Sequence, residues 1–450
     1  MLEPKTRVKG FLIQEFVKDA AKAYKPADGS DPLVASPVAG AFRAENPRLR
    51  IPAVFIVDDG MPIIRSKTGD QAKAKAEFES KWNTLRAFAE LCVKHGARGK
   101  FSVIPYIEAD NLGMMDKIAD PDALKMLHAY LDYVREWLAP RFDLNPEVNT
   151  HGAVLDLETD RPYTFKSKDV LKEHPEYAHE SDWSLLQDED TLARYIERAL
   201  TAHKNVGLEP NGLTCCCNFG IGNEDNFVPA TARAFKNVFG RMQNWFFKDV
   251  LALTRIEQQV MNFNWQTGEY LVHIGCAADL CDLEIRNLVG DNLEKQLNAF
   301  IAEDGQSGNI PRIMLNKGQL IFCVHWWYFL EDMALFRGIF ERMERLFPDR
   351  YVWMKASELS RYTVAARTFR QVMGHHGRFR LETAVECPDF TLSFEVVGRL
   401  TDMCVNDVAL KRDSSGNRGL DNGFWRQDGH VVYACFDLKK NTNIALQAEF

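Results

Sequence analysis

IPAVFIVDDG (residues 51–60) joins an apolar run rich in β-branched residues to two carboxylates and a glycine. A short apolar run of this kind predicts a buried strand, with Asp58 and Asp59 at its C-terminal end. In α/β barrels the functional side chains lie at the C-terminal ends of the strands. The stretch therefore predicts a barrel strand that carries charge at the barrel mouth.

Strands and helices alternate after this strand. A helical period covers about residues 71–96, KFSVIPY (100–106) is the next apolar strand, and a second helical period covers 121–139. Further strands are predicted at 151–157, 212–219, 270–275 and 320–325, and further helices at 188–206, 228–240 and 329–346. This alternation is typical of parallel sheets. It predicts an α/β fold, with a distorted (β/α)7-8 barrel and helical insertions over residues 1–365.

The pattern changes after Thr363. RFRLETAV (378–385), FTLSFEVV (390–397) and HVVYACFDL (430–438) alternate apolar and polar residues, and the helical period disappears. Alternation with turn residues between the runs is typical of antiparallel strands. Residues 366–450 are therefore predicted to form a small all-β sandwich domain.

Charge and composition exclude several classes of partner. The 55 Lys and Arg residues face 63 Asp and Glu residues, which gives a net charge of −8, so nucleic acid is not expected as a partner. The chain has no long uninterrupted apolar run, so no membrane span is predicted, and MLEPKTRVKGFLIQEF at its start lacks the apolar core of a signal peptide. Most of the ten cysteines lie in apolar runs, which favours a reducing, cytoplasmic compartment. The oligomeric state is left open.

Adjacent carboxylates repel each other, so Asp58 and Asp59 at a strand end favour a site where a cation or a proton neutralises one of them. A turn with a capping role is the alternative. His151 heads the third predicted strand and is followed by acidic residues that include Asp156. Imidazole and carboxylate together suit zinc or a similar divalent ion.

His325 ends the apolar run LIFCV and precedes Trp326 and Trp327. A histidine at a strand end is either a proton donor or a satisfied core residue. The two tryptophans pack in the core unless their faces line a cleft. The triplet Cys215-Cys216-Cys217 is interpreted as packing, because metal-binding cysteines generally come as two separated pairs.

The order of these features resembles the polysaccharide deacetylases of the glycoside hydrolase/deacetylase superfamily. The resemblance covers about residues 50–363 and rests on VFIVDDGMP (54–62), KFSVIPY (100–106), a histidine after the third predicted strand, GLTCCCNFGIGN (212–223), CVHWWYF (323–329) and the closing segment YVWMKASELSRY (351–362). It implies a distorted barrel, a divalent metal cofactor, expected to be zinc, and a carbohydrate substrate.

The resemblance also implies roles for individual residues. Asp58 becomes the base, His325 the acid that protonates the leaving group, and Asp59 and His151 metal ligands. The family's second histidine would stand at position 155, which is leucine here, so Asp156 is taken as the third ligand. The family's arginine beside the base is missing from Cys217-Asn218-Phe219-Gly220. The residues assigned to saccharide binding are Trp326, Trp327 and Asn218.

The function predicted from the sequence is a metal-dependent hydrolase that removes acyl groups from an N-acetylated or O-acetylated carbohydrate. One alternative is a catalytically inactive barrel that binds a saccharide, which the missing histidine and arginine favour. The other is a glycoside hydrolase of the same superfamily, which would place two carboxylates across the scissile bond.

Overall fold

The computed structural model describes residues 38, 40–61, 71–108, 111–165, 168–251, 256–326, 333–373 and 377–449. Its strands are β1 (Arg43–Ala44), β2 (Ile51–Asp58), β3 (Gly99–Ser102), β4 (Tyr106–Ile107), β5 (Gly113–Met114), β6 (Phe142–Asn145), β7 (Leu155–Asp156), β8 (Arg161–Pro162), β9 (Gly212–Thr214), β10 (Gln243–Leu251), β11 (Gln259–Asn264), β12 (Glu269–Ala277), β13 (Leu320–His325), β14 (Tyr351–Trp353), β15 (Arg370–Met373), β16 (Arg378–Glu382), β17 (Cys387–Glu395), β18 (Arg399–Val405), β19 (Val408–Ala409), β20 (Lys411–Arg412), β21 (Phe424–Asp428), β22 (Val431–Leu438) and β23 (Asn441–Glu449). The α-helices are Gln71–Lys94, Pro121–Tyr133, Lys168–Glu173, Glu180–Ser184, Glu189–Asn205, Glu224–Phe239, Asp282–Val289, Leu293–Phe300, Asn309–Leu315, Met333–Leu346 and Ala356–Thr368. No helix among the described residues is both long enough and apolar enough to cross a membrane.

Strand β2 lies inside a parallel sheet of order β13-β2-β3-β6, with β14 also paired to β2. Residues 53–57 of β2 are completely buried, as expected for a strand that is covered on both faces. The β13 register places His325 beside Asp58. The two strand ends that the sequence singled out are therefore neighbours.

A second sheet, of order β11-β12-β10-β9, is parallel except for β11. Two isolated parallel bridges join it to the first sheet, at Glu147↔Thr214 and at Cys281↔Cys323. The two sheets also meet in the interior, because Lys100 of β3 hydrogen-bonds Thr214 of β9 over 2.6 Å. The mixed α/β class is thus confirmed, and the parallel strands curl around a shared interior with their C-terminal ends on one side.

The strand predicted at residues 151–157 is wrong. The third strand of the first sheet is β6, Phe142–Asn145, and within 151–157 only Leu155 and Asp156 are in a strand, in a short hairpin with β8. The reason is local, since the backbone amides of residues 149, 150 and 151 bond to the Glu180 carboxylate instead of to a neighbouring strand.

Alternate side chains of β2 enter two different cores. Phe55 and Val57 pack with the flanking helices, whereas Val54 and Ile56 belong to a core that also contains residues of β10, of helix Ala356–Thr368 and of the C-terminal strands. Gly212 makes room for a large interior residue, because a Cβ there would lie 2.0 Å from the ring of Trp245. The apolar interior is therefore continuous with the C-terminal part of the chain.

The C-terminal strands β15–β23 form two sheets, of order β1-β17-β22-β21-β20 and β15-β16-β23-β18-β19. Strand β1, which precedes the parallel sheets in the chain, pairs antiparallel with β17. Phe42 joins the two sheets by edge-on contacts to Phe379 (5.3 Å between ring centroids) and Phe394 (4.8 Å). The all-β region thus includes residues that precede the parallel strands in the chain as well as residues that follow them.

Candidate functional site

Asp59, Glu147 and His151 form a cluster in which one ligand atom from each residue lies within 4.8 Å of the other two. His151 Nε2 is 2.9 Å from Asp59 Oδ1 and 3.4 Å from Glu147 Oε1. The second oxygen of Glu147 accepts a hydrogen bond of 2.8 Å from the Asp59 backbone amide. The cluster lies just beyond the C-terminal ends of β2 and β6.

The loop that carries Glu147 and His151 is anchored by the completely buried Glu180. This carboxylate accepts hydrogen bonds from the backbone amides of Asn149 and Thr150, both 3.1 Å, and of His151, 3.0 Å. The Tyr195 hydroxyl donates to it over 2.7 Å. The anchoring is needed because His151 has a φ of 58°, which is unfavourable for a residue with a side chain.

Charges in the cluster shift its titration strongly. Burial, together with the charges of Asp58 and Asp59, raises the pKa of Glu147 to about 8. Burial acts to lower the pKa of His151, but the charge of Glu147 and the hydrogen bond to Asp59 outweigh it and raise that pKa to about 12. The burial of Glu147 and the negative charge around His151 both favour binding of a proton or another cation in this space.

The donor set fits a divalent metal ion. Two carboxylates and an imidazole are ligands that zinc accepts in catalytic sites. Asp59 Oδ1 is buried, and His151 Nε2 lies 2.9 Å from it. A ligand atom of this kind, close to two others, is suited to coordination.

Asp58 faces the interior and is paired with Lys100. Lys100 is fully buried, and its ammonium group donates to Asp58 Oδ1, to Ser102 Oγ over 2.9 Å and to Thr214 Oγ1 over 2.6 Å. Ser102 Oγ also donates to Asp58 Oδ1 over 3.2 Å. Lys100 therefore supplies a cation beside Asp58, where the sequence motif lacks the family's arginine.

His325 is held by Asp282, the first residue of helix Asp282–Val289. The His325 ring nitrogen Nδ1 is 2.9 Å from Asp282 Oδ1, and the His325 backbone amide donates to Asp282 Oδ2 over 3.0 Å. Burial acts to lower the pKa of His325, but Asp282 and the nearby Asp58 and Asp59 raise it to about 10. The ring is therefore a cation at neutral pH and can donate a proton.

Cys217 is the exposed member of the cysteine triplet, while Cys215 and Cys216 are buried. Its thiol makes side-chain hydrogen bonds with His151 and His179, which lower the pKa of Cys217 to about 6. The prediction that the triplet serves packing fits the buried Cys215 and Cys216 but not the exposed Cys217. The backbone of Cys217 is left-handed, with a φ of 42°.

Three other predicted site residues, Asp156, Trp326 and Asn218, lie within the described part of the chain. Asp156 is outside the Asp59 cluster, and its carboxylate accepts from the Glu158 amide (3.1 Å) and the Thr159 hydroxyl (2.8 Å). Trp326 is only 3% exposed and packs edge-on against the rings of Phe88 and Phe101. Asn218 is exposed beside Cys217. Trp327 lies outside the described residues.

Sequence reasoning missed Glu147, Glu180, Lys100 and Asp282. One signal was available for Glu147, since it precedes His151 by four residues, the spacing that the resemblance implies for two metal ligands. Glu180 and Asp282 are distant in sequence from the residues they hold, and no local pattern marks them.

The comparisons with known proteins find only distant likenesses. No family model matches the chain, and no curated protein matches it. Among solved structures, a protein from Mycobacterium smegmatis assigned as a polysaccharide deacetylase is 13% identical, with a TM-score of 0.42 over 76% of this chain and 98% of its own. The α-amylase AmyC from Thermotoga maritima is 9% identical, with a TM-score of 0.35 over 69% and 74%. Likenesses at this level identify neither a family nor an activity.

Proposed function

We propose that the protein is a metal-dependent hydrolase that removes acyl groups from an acylated carbohydrate. The observation that carries the proposal is the cluster of Asp59, Glu147 and His151, which lies at the strand ends next to Asp58 and His325. The carbohydrate substrate rests on the sequence resemblance. On this proposal the two bridged sheets form a single distorted barrel of seven parallel strands, β2, β3, β6, β9, β10, β12 and β13.

Asp59, Glu147 and His151 would hold the ion, which we expect to be zinc. A zinc ion bound there would lower the pKa of a water molecule toward neutrality and polarise the acyl carbonyl. Because Asp59 and Glu147 are both anionic as ligands, the set carries more negative charge than one aspartate with two histidines.

Asp58 is the proposed general base. A base has to be ionised before it can take a proton from water, and the ammonium group of Lys100 lies against the Asp58 carboxylate as its counter-charge. Ser102 and Lys100 both bond to Oδ1, while Oδ2 is approached by the Cys323 thiol at 3.6 Å. Lys100 takes the orienting role that an arginine plays in the family.

His325 is the proposed general acid. Its Nδ1 side is bound to Asp282, so Nε2 is the atom that would donate a proton to the leaving nitrogen or oxygen. The raised pKa keeps this proton in place at neutral pH. A group of this kind contributes roughly 10²- to 10⁴-fold to the rate.

The inactive saccharide-binding alternative drew its support from two residues that the motifs lack. The structure offers a carboxylate, Glu147, at the position of the missing histidine, and an ammonium group, Lys100, in the role of the missing arginine. These contacts support a catalytic site over a silent one.

Replacing Asp59 by Asn is the first test of this function. The purified protein should contain divalent metal, and Asp59→Asn should contain one equivalent less per chain than the wild type while keeping its circular dichroism spectrum. Glu158→Gln, which changes an exposed carboxylate near the same loop, should keep the metal. An unchanged metal content in Asp59→Asn would contradict the ligand assignment.

Acetate release from a panel of N-acetylated and O-acetylated sugars tests the reaction itself. Asp58→Asn should keep the metal and lower the rate by roughly 10²- to 10⁴-fold, because the amide cannot act as a base. Asp58→Asn leaves Lys100 without its anion, so the double variant Asp58→Asn/Lys100→Gln is measured beside it and should be equally slow. A metal-loaded wild type that releases no acetate from any sugar would favour the silent binder.

A further inference from the structure

Two buried cysteines lie beside the proposed proton donor. Cys281 and Cys323 are 2% and 1% exposed, and their Sγ atoms and one ring nitrogen of His325 all lie within 4.8 Å of one another. Cys281 and Cys323 are partners in the parallel bridge that joins the two sheets, so the backbone fixes their spacing.

We propose that Cys281, Cys323 and His325 form a second metal site, specific for a thiophilic divalent ion such as Zn²⁺ or Cd²⁺. Two thiolates and an imidazole are a donor set that binds soft and borderline ions in tetrahedral geometry. It differs in kind from the Asp59 cluster, which offers oxygen and nitrogen but no sulfur. Each thiol loses its proton when the ion binds.

Carboxylates next to the cysteines favour a cation there. Cys323 Sγ is 3.6 Å from Asp58 Oδ2, and Cys281 Sγ is 3.9 Å from Asp282 Oδ1. The same Asp282 oxygen is 2.9 Å from His325 Nδ1. Asp282 can thus complete the coordination or hold the imidazole in place, as carboxylates do around metal-bound histidines.

The second site would share His325 with the reaction. An ion held by the imidazole takes up a nitrogen of the proton donor, so this ion would inhibit hydrolysis. The inhibition rests on the proposed function, whereas binding of the ion does not. The test is therefore one of binding and needs no turnover.

Cobalt distinguishes the two sites, because only sulfur ligands give an intense thiolate-to-Co²⁺ charge-transfer band in the near ultraviolet. The reduced, metal-free full chain is titrated with Co²⁺ without oxygen. The band should saturate by two added equivalents per chain, because the Asp59 cluster takes up cobalt without a band, and its final amplitude should correspond to one thiolate-bound Co²⁺. It should disappear in Cys281→Ser and in Cys323→Ser. It should persist in Asp59→Asn, where only the cobalt held by oxygen and nitrogen is lost.

Two other cysteines serve as controls. Cys435 is buried in the C-terminal sheets, so Cys435→Ser should keep the band, as should Cys217→Ser at the exposed thiol beside His151. Each variant is checked by circular dichroism, and either Cys281→Ser or Cys323→Ser is sufficient if the other fails to fold. Absence of the band in the wild type, its survival in a folded Cys281 or Cys323 variant, or its loss in Cys217→Ser would overturn the proposal. If the band persists in Asp59→Asn and this variant still binds as much cobalt as the wild type, the Asp59 cluster is not a metal site. That result would contradict the proposed function but not the second site.

Discussion

The middle and the C-terminal end of strand β2 are both buried but differ in what they contact. In the middle, Val54 and Ile56 lie in an apolar core that the C-terminal strands complete. At its end, Asp58 is 5% exposed and is surrounded by Lys100, Ser102 and a cysteine thiol. An apolar side chain accepts many neighbours, whereas a buried charge is stable only with its counter-charge. The charged end should therefore be much more sensitive to the loss of a single partner.

Lys100→Met gives the largest expected effect. The substitution leaves the buried Asp58 carboxylate without its cation, so the free energy of unfolding should fall by about 3–5 kcal/mol. In the apolar middle of the strand, Ile56→Val removes one methyl group and should cost roughly 0.5–1.5 kcal/mol. Chemical denaturation of the two variants at pH 7 measures the difference.

The double variant Asp58→Asn/Lys100→Met separates charge from packing. It removes both charges, so it should be more stable than Lys100→Met alone. If Lys100→Met lowers the free energy of unfolding no more than Ile56→Val does, the charged end of β2 is no more sensitive than its apolar middle, and the contrast is wrong. The same conclusion follows if the double variant is the least stable of the three.

The histidines show the same contrast. His151 and His325 lie among carboxylates, and their pKa values are raised to about 12 and about 10. His203 and His273 are buried, and burial outweighs the charges of Asp116 and Glu224 and lowers the pKa of each to about 4. The first pair is held charged in the folded protein, and the second pair is held neutral.

The neutral pair should make the protein sensitive to acid. Between a pH of about 6.5, the ordinary pKa of histidine, and about 4, the unfolded chain binds protons that folded His203 and His273 do not. Stability is therefore full above this range and falls as the pH is lowered through it, by about 3 kcal/mol for each histidine. His151 and His325 act in the opposite sense, since their contribution is full below about 6.5 and is lost toward pH 10 and above.

Unfolding free energies measured at intervals from pH 7 to pH 4 test this expectation. His203→Gln removes one of the two groups. The slope of the unfolding free energy against pH should therefore decrease by up to the contribution of one bound proton. This variant also loses the hydrogen bond of 3.2 Å from the His203 ring to Ala199 O. That loss lowers the stability of the variant equally at all pH values, so it does not change the slope. An unchanged slope in His203→Gln would show that carboxylates, and not this histidine, set the acid limit.

The sequence predicts the strands at 51–57 and 320–325 because each apolar run ends abruptly at a charged or titratable residue. These two strands are paired in the structure, which places Asp58 and His325 side by side. It did not predict Glu147, which follows Pro146 in a segment without periodicity and pairs with Thr214 through a single bridge. The sequence predicts Lys100 only as the first residue of a strand. Its role depends on Asp58 and Thr214, which are distant in sequence, and local patterns do not report such contacts.

Asp156 gives the smallest expected effect and tests whether proximity in sequence or in space decides the ligand set. It lies five residues after His151, yet its oxygens are used within its own turn by Glu158 and Thr159. Asp156→Ala should lower the free energy of unfolding by about 1 kcal/mol, the net value of a lost hydrogen bond, and should leave the metal content unchanged. Glu147→Gln, at the same acidic loop, should lose the metal instead. If metal analysis gave the reverse result, the loop would have to rearrange when the ion binds, because the geometry around Glu180 holds Glu147 and not Asp156 against Asp59.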